Sequence, residues 1–186
     1  MSGRSAGSTF NRGQLMPIGG AVRDDIHVCT LTLSPEIRDT IVEHLRRSLP
    51  HEGVGLLATS GIGSSLTAVR FYPGRNMDRS PRRYTMETAD VLAALANMKR
   101  EQTRLGAIVH SHPFTPPVPS QTDLAEANYP GVLSLIVGFS PVVELRAWRL
   151  VYDGHGVAVR FESVPIICRG TAERSPLGFL KRERHN

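Results

Sequence analysis

The sequence predicts an α+β, or mixed α/β, domain in which helices flank a central, mostly antiparallel β-sheet. Three observations carry this expectation. Several short runs alternate apolar and polar residues as half-buried strands do, two longer segments repeat apolar residues at helical spacing, and short turns join neighbouring strand-like runs. No internal repeat is visible, and 186 residues suit one domain with tails, since domains typically run to about 100–200 residues.

The elements follow in order. Residues 27–33, HVCTLTL, alternate like a strand, and Ser34-Pro35 then supplies an N-cap followed by a proline at the first helical position. That helix runs to about Ser48 with Ile37, Ile41, Val42 and Leu45 on one face, and Pro50 stops it. GVGLLAT (53–59) and LTAVRFY (66–72), separated by SGIGSS, read as a β-hairpin. A loop, PGRNMDRSPRR, precedes a second amphipathic helix over 87–104, with Val91, Leu92, Leu95 and Met98 as its apolar positions. GAIVHSH (106–112) reads as an interior strand that ends in a polar motif, and Ser120 to Asn128 as a short helix. LSLIVGF (133–139), ELRAWRL (144–150) and GVAVRFESV (156–164) read as three strands, the last two joined by the turn DGHG.

Composition excludes several function classes. No stretch approaches the roughly 20 apolar residues that span a bilayer, and the N-terminus lacks the apolar run of about 7–15 residues of a secretory signal. The two cysteines make no disulfide framework: Cys29 alternates with Leu31 and Leu33 as a core thiol, and Cys168 lies near the C-terminal tail. A reducing cytoplasm is therefore expected. Of the net charge of +5, residues 1–26 and 169–186 together carry +4. The expected organisation is a flexible tail over 1–26, a domain over 27–168 and a basic tail over 169–186, with nucleic acid not expected as a partner.

The chemistry is concentrated in HSHPFTPPVPSQTD, residues 110–123. His110 and His112 project from one face of a strand, because strand side chains alternate with a period of two. Ser111 then faces the other way and receives no catalytic role. Four prolines at 113, 116, 117 and 119 limit how the chain turns back, so Asp123 can be held beside the histidines. Two imidazoles and a carboxylate suit Zn²⁺ with a fourth position left for water. Glu52, at the start of an apolar strand, could serve as general acid/base, and Ser120 could donate its hydroxyl to a developing oxyanion. Each residue also has a structural reading. Ser120 to Asp123 is a capping-box pattern that would start a helix and at the same time set where Asp123 points. His27, His44, His51, His155 and His185 have no partner at ligand spacing and read as structural or solvated.

Taken together, Glu52 followed by His110, Ser111, His112, Ser120 and Asp123 matches Glu…His-x-His-x7-Ser-x2-Asp without a gap. This resembles the JAMM, or MPN+, zinc metalloprotease motif, and the surrounding stretches FYPGRNMDRSPRRYTM and LSLIVGFS are similar to the small prokaryotic Mov34/MPN group. The resemblance covers most of residues 27–165. It implies an MPN/JAMM-like, cytidine-deaminase-like architecture, one Zn²⁺ held by His110, His112 and Asp123, Glu52 as acid/base and Ser120 at the oxyanion. It further implies hydrolysis after the Gly-Gly tail of a ubiquitin-like or sulfur-carrier protein, releasing a lysine-linked protein or a single amino acid. Arg75, Arg79, Arg82 and Arg83 would steer such an acidic partner, or else form an ordinary exposed loop. Two rival expectations are a RadC-like DNA-repair-associated protein and a catalytically silent MPN interaction module.

Overall fold

The computed structural model describes residues 30–61 and 64–169. Residues 1–29 and 170–186 lie outside it, and with them both expected tails apart from Arg169, the first part of the strand predicted over 27–33, Cys29, His27 and His185.

The sheet begins with β1 (Thr30–Leu33), and Ser34 then caps α1 (Pro35–Arg47) by accepting the Ile37 N–H at 3.3 Å. Ile41 and Leu45 are fully buried, with Ile37 and Val42 against the same cluster, so the predicted apolar face of α1 is the one that packs. β2 (Val54–Ser60) and β3 (Ser65–Gly74) form the predicted antiparallel hairpin, with a register irregularity at Ala58/Thr59. The other elements are α2 (Thr88–Arg100), β4 (Arg104–His112), α3 (Gln121–Ala125), β5 (Leu133–Gly138), β6 (Glu144–Tyr152), β7 (Ala158–Val164) and β8 (Ile166–Cys168).

Two expectations need correction, and one strand is added. The second helix ends at Arg100 and not at Arg104, because Gln102 takes a positive φ of 54° and Arg104 is already paired with Thr59 in the sheet. Leu92 is 58% exposed, since the buried arc of α2 runs through Val91, Ala94 and Met98. Residues 166–168, to which the sequence assigns no element, form β8. It is a strand because it lies parallel to β1, with Leu31 opposite Ile166, a long-range pairing that no local pattern announces.

Among the described residues all strands belong to one eight-stranded sheet in the order β7-β6-β5-β4-β2-β3-β1-β8. Four of its seven pairings are antiparallel, and β1 with β3, β1 with β8 and β4 with β5 are parallel. The interior strands are buried on both faces, which is why β2 and β5 read as nearly continuous apolar runs. Leu57, Val109 and Leu135 point to the α1 side with Ile41 and Leu45. Leu56 and Ala58 point to the α2 side with Val91, Ala94 and Met98. Alternation places Ile108, His110 and His112 on that second side, at the C-terminal end of β4. Among the described residues no helix is long and apolar enough to cross a membrane.

Candidate metal centre

Strand β4 delivers His110 and His112 from the middle of the sheet, between β2 and β5, and both are buried. The proline loop then folds back over the strand end. Trp148 of β6 donates its indole N–H to the Pro117 carbonyl at 2.8 Å. Gly138 lets the loop lie directly on β5, where an added Cβ would come within 2.8 Å of Pro117 Cδ. The loop therefore delivers Ser120 and α3 to a set position beside the histidines.

At the start of α3, Ser120 and Asp123 form the predicted capping box. Ser120 Oγ accepts the Asp123 N–H at 3.1 Å, and Asp123 Oδ2 accepts both the Ser120 N–H at 2.8 Å and the Ser120 hydroxyl at 2.7 Å. These bonds aim the buried Asp123 carboxylate at the histidines: its Oδ1 lies 3.2 Å from His110 Nε2, and its Oδ2 lies 3.3 Å from His112 Nε2. One ligand atom from each of the three residues lies within 4.8 Å of the others.

The donor set fits a small divalent cation. Zinc bonds of about 2.0–2.1 Å at tetrahedral angles set ligand atoms about 3.3 Å apart, a spacing that Asp123 matches to His110 through Oδ1 and to His112 through Oδ2. The His112 tautomer also fits. Its Nδ1 lies 2.9 Å from the Pro116 carbonyl, which can only accept, so Nδ1 carries the proton and Nε2 turns its lone pair to the centre. Burial pulls the His112 pKa down, but hydrogen bonds to Asp123 and the Pro116 carbonyl, with the charges of Asp123 and Glu52, leave it raised above its ordinary value. The field at the centre thus favours positive charge. Tyr84, buried, stacks obliquely on His110 with ring centroids 4.9 Å apart.

Glu52 is 4% exposed, two residues before the β2–β4 ladder begins at Val54. Val54 pairs with His110 and Ser111 N–H donates to the Gly53 carbonyl at 3.1 Å, so continuing this register sets Glu52 opposite His112 on the face of the centre. Ser111 does face away, as alternation requires, and its buried Oγ accepts the Gly53 N–H at 2.8 Å. A Cβ at Gly53 would meet Leu45 Cδ2 at 2.8 Å, so glycine is needed where the chain passes from α1 into β2.

The four arginines divide into two pairs. Arg75 is tied to Asp90 at 3.1 Å and Arg83 to Glu126 at 2.8 Å, so both fasten the loop to the helices beside it. Burial raises the Asp90 pKa, but the Arg75 hydrogen bonds outweigh it and hold the carboxyl below its ordinary value. Arg79 and Arg82 are exposed. Arg75 and Arg83 remain 68% and 60% exposed while holding these partners, so the loop presents all four arginines at its surface. A shallow, open cleft adjoins the centre at Asp123, walled by Tyr84, Ile108, Tyr129, Leu150 and Tyr152, with Glu126 among its polar lining. The sequence reading missed Asn76, Tyr84 and Trp148. An asparagine in a polar loop reads as a turn former, and aromatic residues at these positions read as core.

The chain resembles known proteins over most of its length. A family model described as prokaryotic homologs of the JAB domain matches residues 34–151. A desampylase of Haloferax volcanii is 32% identical over 111 residues, covering 57% of this chain and 78% of the relative. A CysO-cysteine peptidase of Mycobacterium tuberculosis is 32% identical over 142 residues, covering 75% of this chain and 93% of the relative. A solution structure of a protein from Desulfitobacterium hafniense superposes with a TM-score of 0.67 at 26% identity, covering 78% of this chain and 97% of that one.

Proposed function

The chain belongs to the small prokaryotic branch of the JAMM/MPN family, that of the prokaryotic homologs of the JAB domain, and on that premise we propose that it is a zinc-dependent peptidase or isopeptidase. Its substrate in this reading is a conjugate of a ubiquitin-like or sulfur-carrier protein, cut after the Gly-Gly end of the carrier. The single observation that carries the reading is the convergence of His110, His112 and Asp123, all buried, at separations suited to one cation. The names of the two relatives, a desampylase and a CysO-cysteine peptidase, supply the substrate class.

His110 and His112 would hold the metal through Nε2 and Asp123 through its carboxylate. Zn²⁺ held there would supply Lewis-acid polarisation of the scissile carbonyl and a water acidified to a pKa of about 7. Glu52, opposite His112, takes a proton from the attacking water and passes it to the leaving amine. Burial of Glu52 strengthens its attraction to the cationic centre and keeps bulk water from competing for that proton. The Ser120 hydroxyl donates to the attacked carbonyl oxygen as charge develops there, turning from Asp123 Oδ2, which keeps the Ser120 backbone N–H. The Pro116 carbonyl holds the His112 tautomer throughout.

A Gly-Gly tail has no side chains to obstruct a narrow approach to a buried centre. The test is to incubate zinc-loaded protein with Gly-Gly-tailed carrier fusions from the same genome, with and without chelator. Cleavage after the second glycine that disappears with chelator and returns with added zinc is the expected result. Fusions left intact throughout would reject the reading.

Arg79 and Arg82 give this reading a docking surface for an acidic carrier. Replacing both with alanine is expected to raise KM for a protein conjugate several-fold and to leave a short Gly-Gly peptide amide unaffected, with the difference shrinking as salt screens the pair. Equal effects on both substrates would remove the docking role.

A further inference from the structure

The arginine loop does more than carry charge. It closes on itself through a bridge between Asn76 and Met86, a Met77 N–H to Thr85 carbonyl bond of 2.8 Å and a Glu87 N–H to Arg75 carbonyl bond of 2.9 Å. At its centre the Asn76 side chain makes four hydrogen bonds. Nδ2 donates to the Glu52 carbonyl at 2.8 Å and to the Arg83 carbonyl at 3.1 Å, and Oδ1 accepts the N–H groups of Asp78 at 3.0 Å and Thr85 at 3.1 Å. Both amide donors and both carbonyl lone pairs are thereby used.

Two of these contacts matter for Glu52, which stands beyond the last rung of the β2–β4 ladder. Its N–H donates to the Ser80 carbonyl at 2.8 Å, and its carbonyl accepts from Asn76. The main chain of Glu52 is therefore held by the loop, and the sheet takes hold only from Gly53 onward. We infer that Asn76 is a positioning residue for Glu52, locking its main chain to the arginine loop so that the side chain stays directed at the metal centre. The inference rests on the reading of Glu52 as general base. A misplacement of about 1 Å costs on the order of 10²-fold in rate, so one amide at this position has catalytic weight without touching substrate.

Asn76→Asp keeps an acceptor for Asp78 and Thr85 but sets an oxygen against the Glu52 and Arg83 carbonyls. Asn76→Ser removes the same two donors without adding charge, and carries the comparison alone if the aspartate variant does not fold. Thr85→Val is the control: it breaks the Thr85 hydroxyl bond to Asp78, 2.8 Å, and loosens the loop without touching Glu52. For a short Gly-Gly peptide amide, the Asn76 variants are expected to lose about tenfold or more in kcat, with KM within about twofold and zinc content unchanged. Thr85→Val should keep the parental kcat. Amide hydrogen exchange at Glu52 gives a readout independent of turnover, and it is expected to be about tenfold faster in the Asn76 variants and unchanged in Thr85→Val. Parental kcat in the Asn76 variants, or an equal loss in Thr85→Val, overturns the inference. If the zinc-loaded parent cuts no Gly-Gly amide, the hydrolase reading fails by itself, and unchanged exchange at Glu52 would then separately reject the tether.

Discussion

A Glu52→Gln protein is expected to bind zinc with the stoichiometry of the parent and to hydrolyse substrate about 10²–10⁴-fold more slowly, the span attributed to one positioned acid/base. The amide is nearly isosteric with the carboxylate, so the main-chain bonds to Ser80 and Asn76 and the packing of this buried side chain survive the change. What is lost is the ability to take a proton and the negative charge set opposite His112. That charge contributes to the raised His112 pKa, after the larger effects of burial and Asp123, so its removal should bring the imidazole pKa down in metal-free protein. Metal analysis and single-turnover hydrolysis on the same preparation check both halves. Parental turnover in zinc-replete Glu52→Gln would refute the assigned role of Glu52.

Asp123→Ala is expected to lose metal and activity together, and to lose stability as well. The carboxylate supplies the anionic member of the ligand set and also accepts two hydrogen bonds from Ser120. Removing it leaves two buried imidazoles without the charge that favours a cation, and it leaves the Ser120 N–H without its acceptor. A lost hydrogen bond of this kind costs on the order of 0.5–1.5 kcal/mol. Asp123→Asn separates the two effects. It keeps an oxygen for Ser120, and so the start of α3, but offers the metal only a neutral ligand. Metal content should fall in both variants, and the thermal midpoint of the metal-free protein should fall more in the alanine variant. Full zinc occupancy in Asp123→Asn, measured against a competing chelator, would show that the carboxylate charge is not needed to hold the ion.

The parts of this protein that were legible early share one property: their signals are local. The Ser34-Pro35 start of α1, the 53–72 hairpin and the capping box at Ser120 each depend on residues within a few positions of one another, where propensity and hydrogen-bonding capacity act directly. The two histidines belong to this class, because strand periodicity alone puts them on one face. The misread features were set at a distance. α2 ends where Arg104 is drawn into pairing with Thr59, and β8 exists because β1 lies beside it. Arg75 and Arg83 meet Asp90 and Glu126, partners 15 and 43 residues away that the composition of the loop does not announce.

The sequence by itself determined the element types other than β8, the shared face of His110 and His112 and the local geometry that aims Asp123, since each follows from backbone periodicity or from a capping bond three residues long. Only the tertiary structure decided that Glu52, 58 residues before His110, stands across from His112, that Pro116 sets the imidazole tautomer, and that Asn76 holds the main chain of Glu52. The reason is physical. Periodicity says which way a side chain points, whereas which side chains meet depends on strand order and register, and these are chosen by the burial of the whole sheet between its helices.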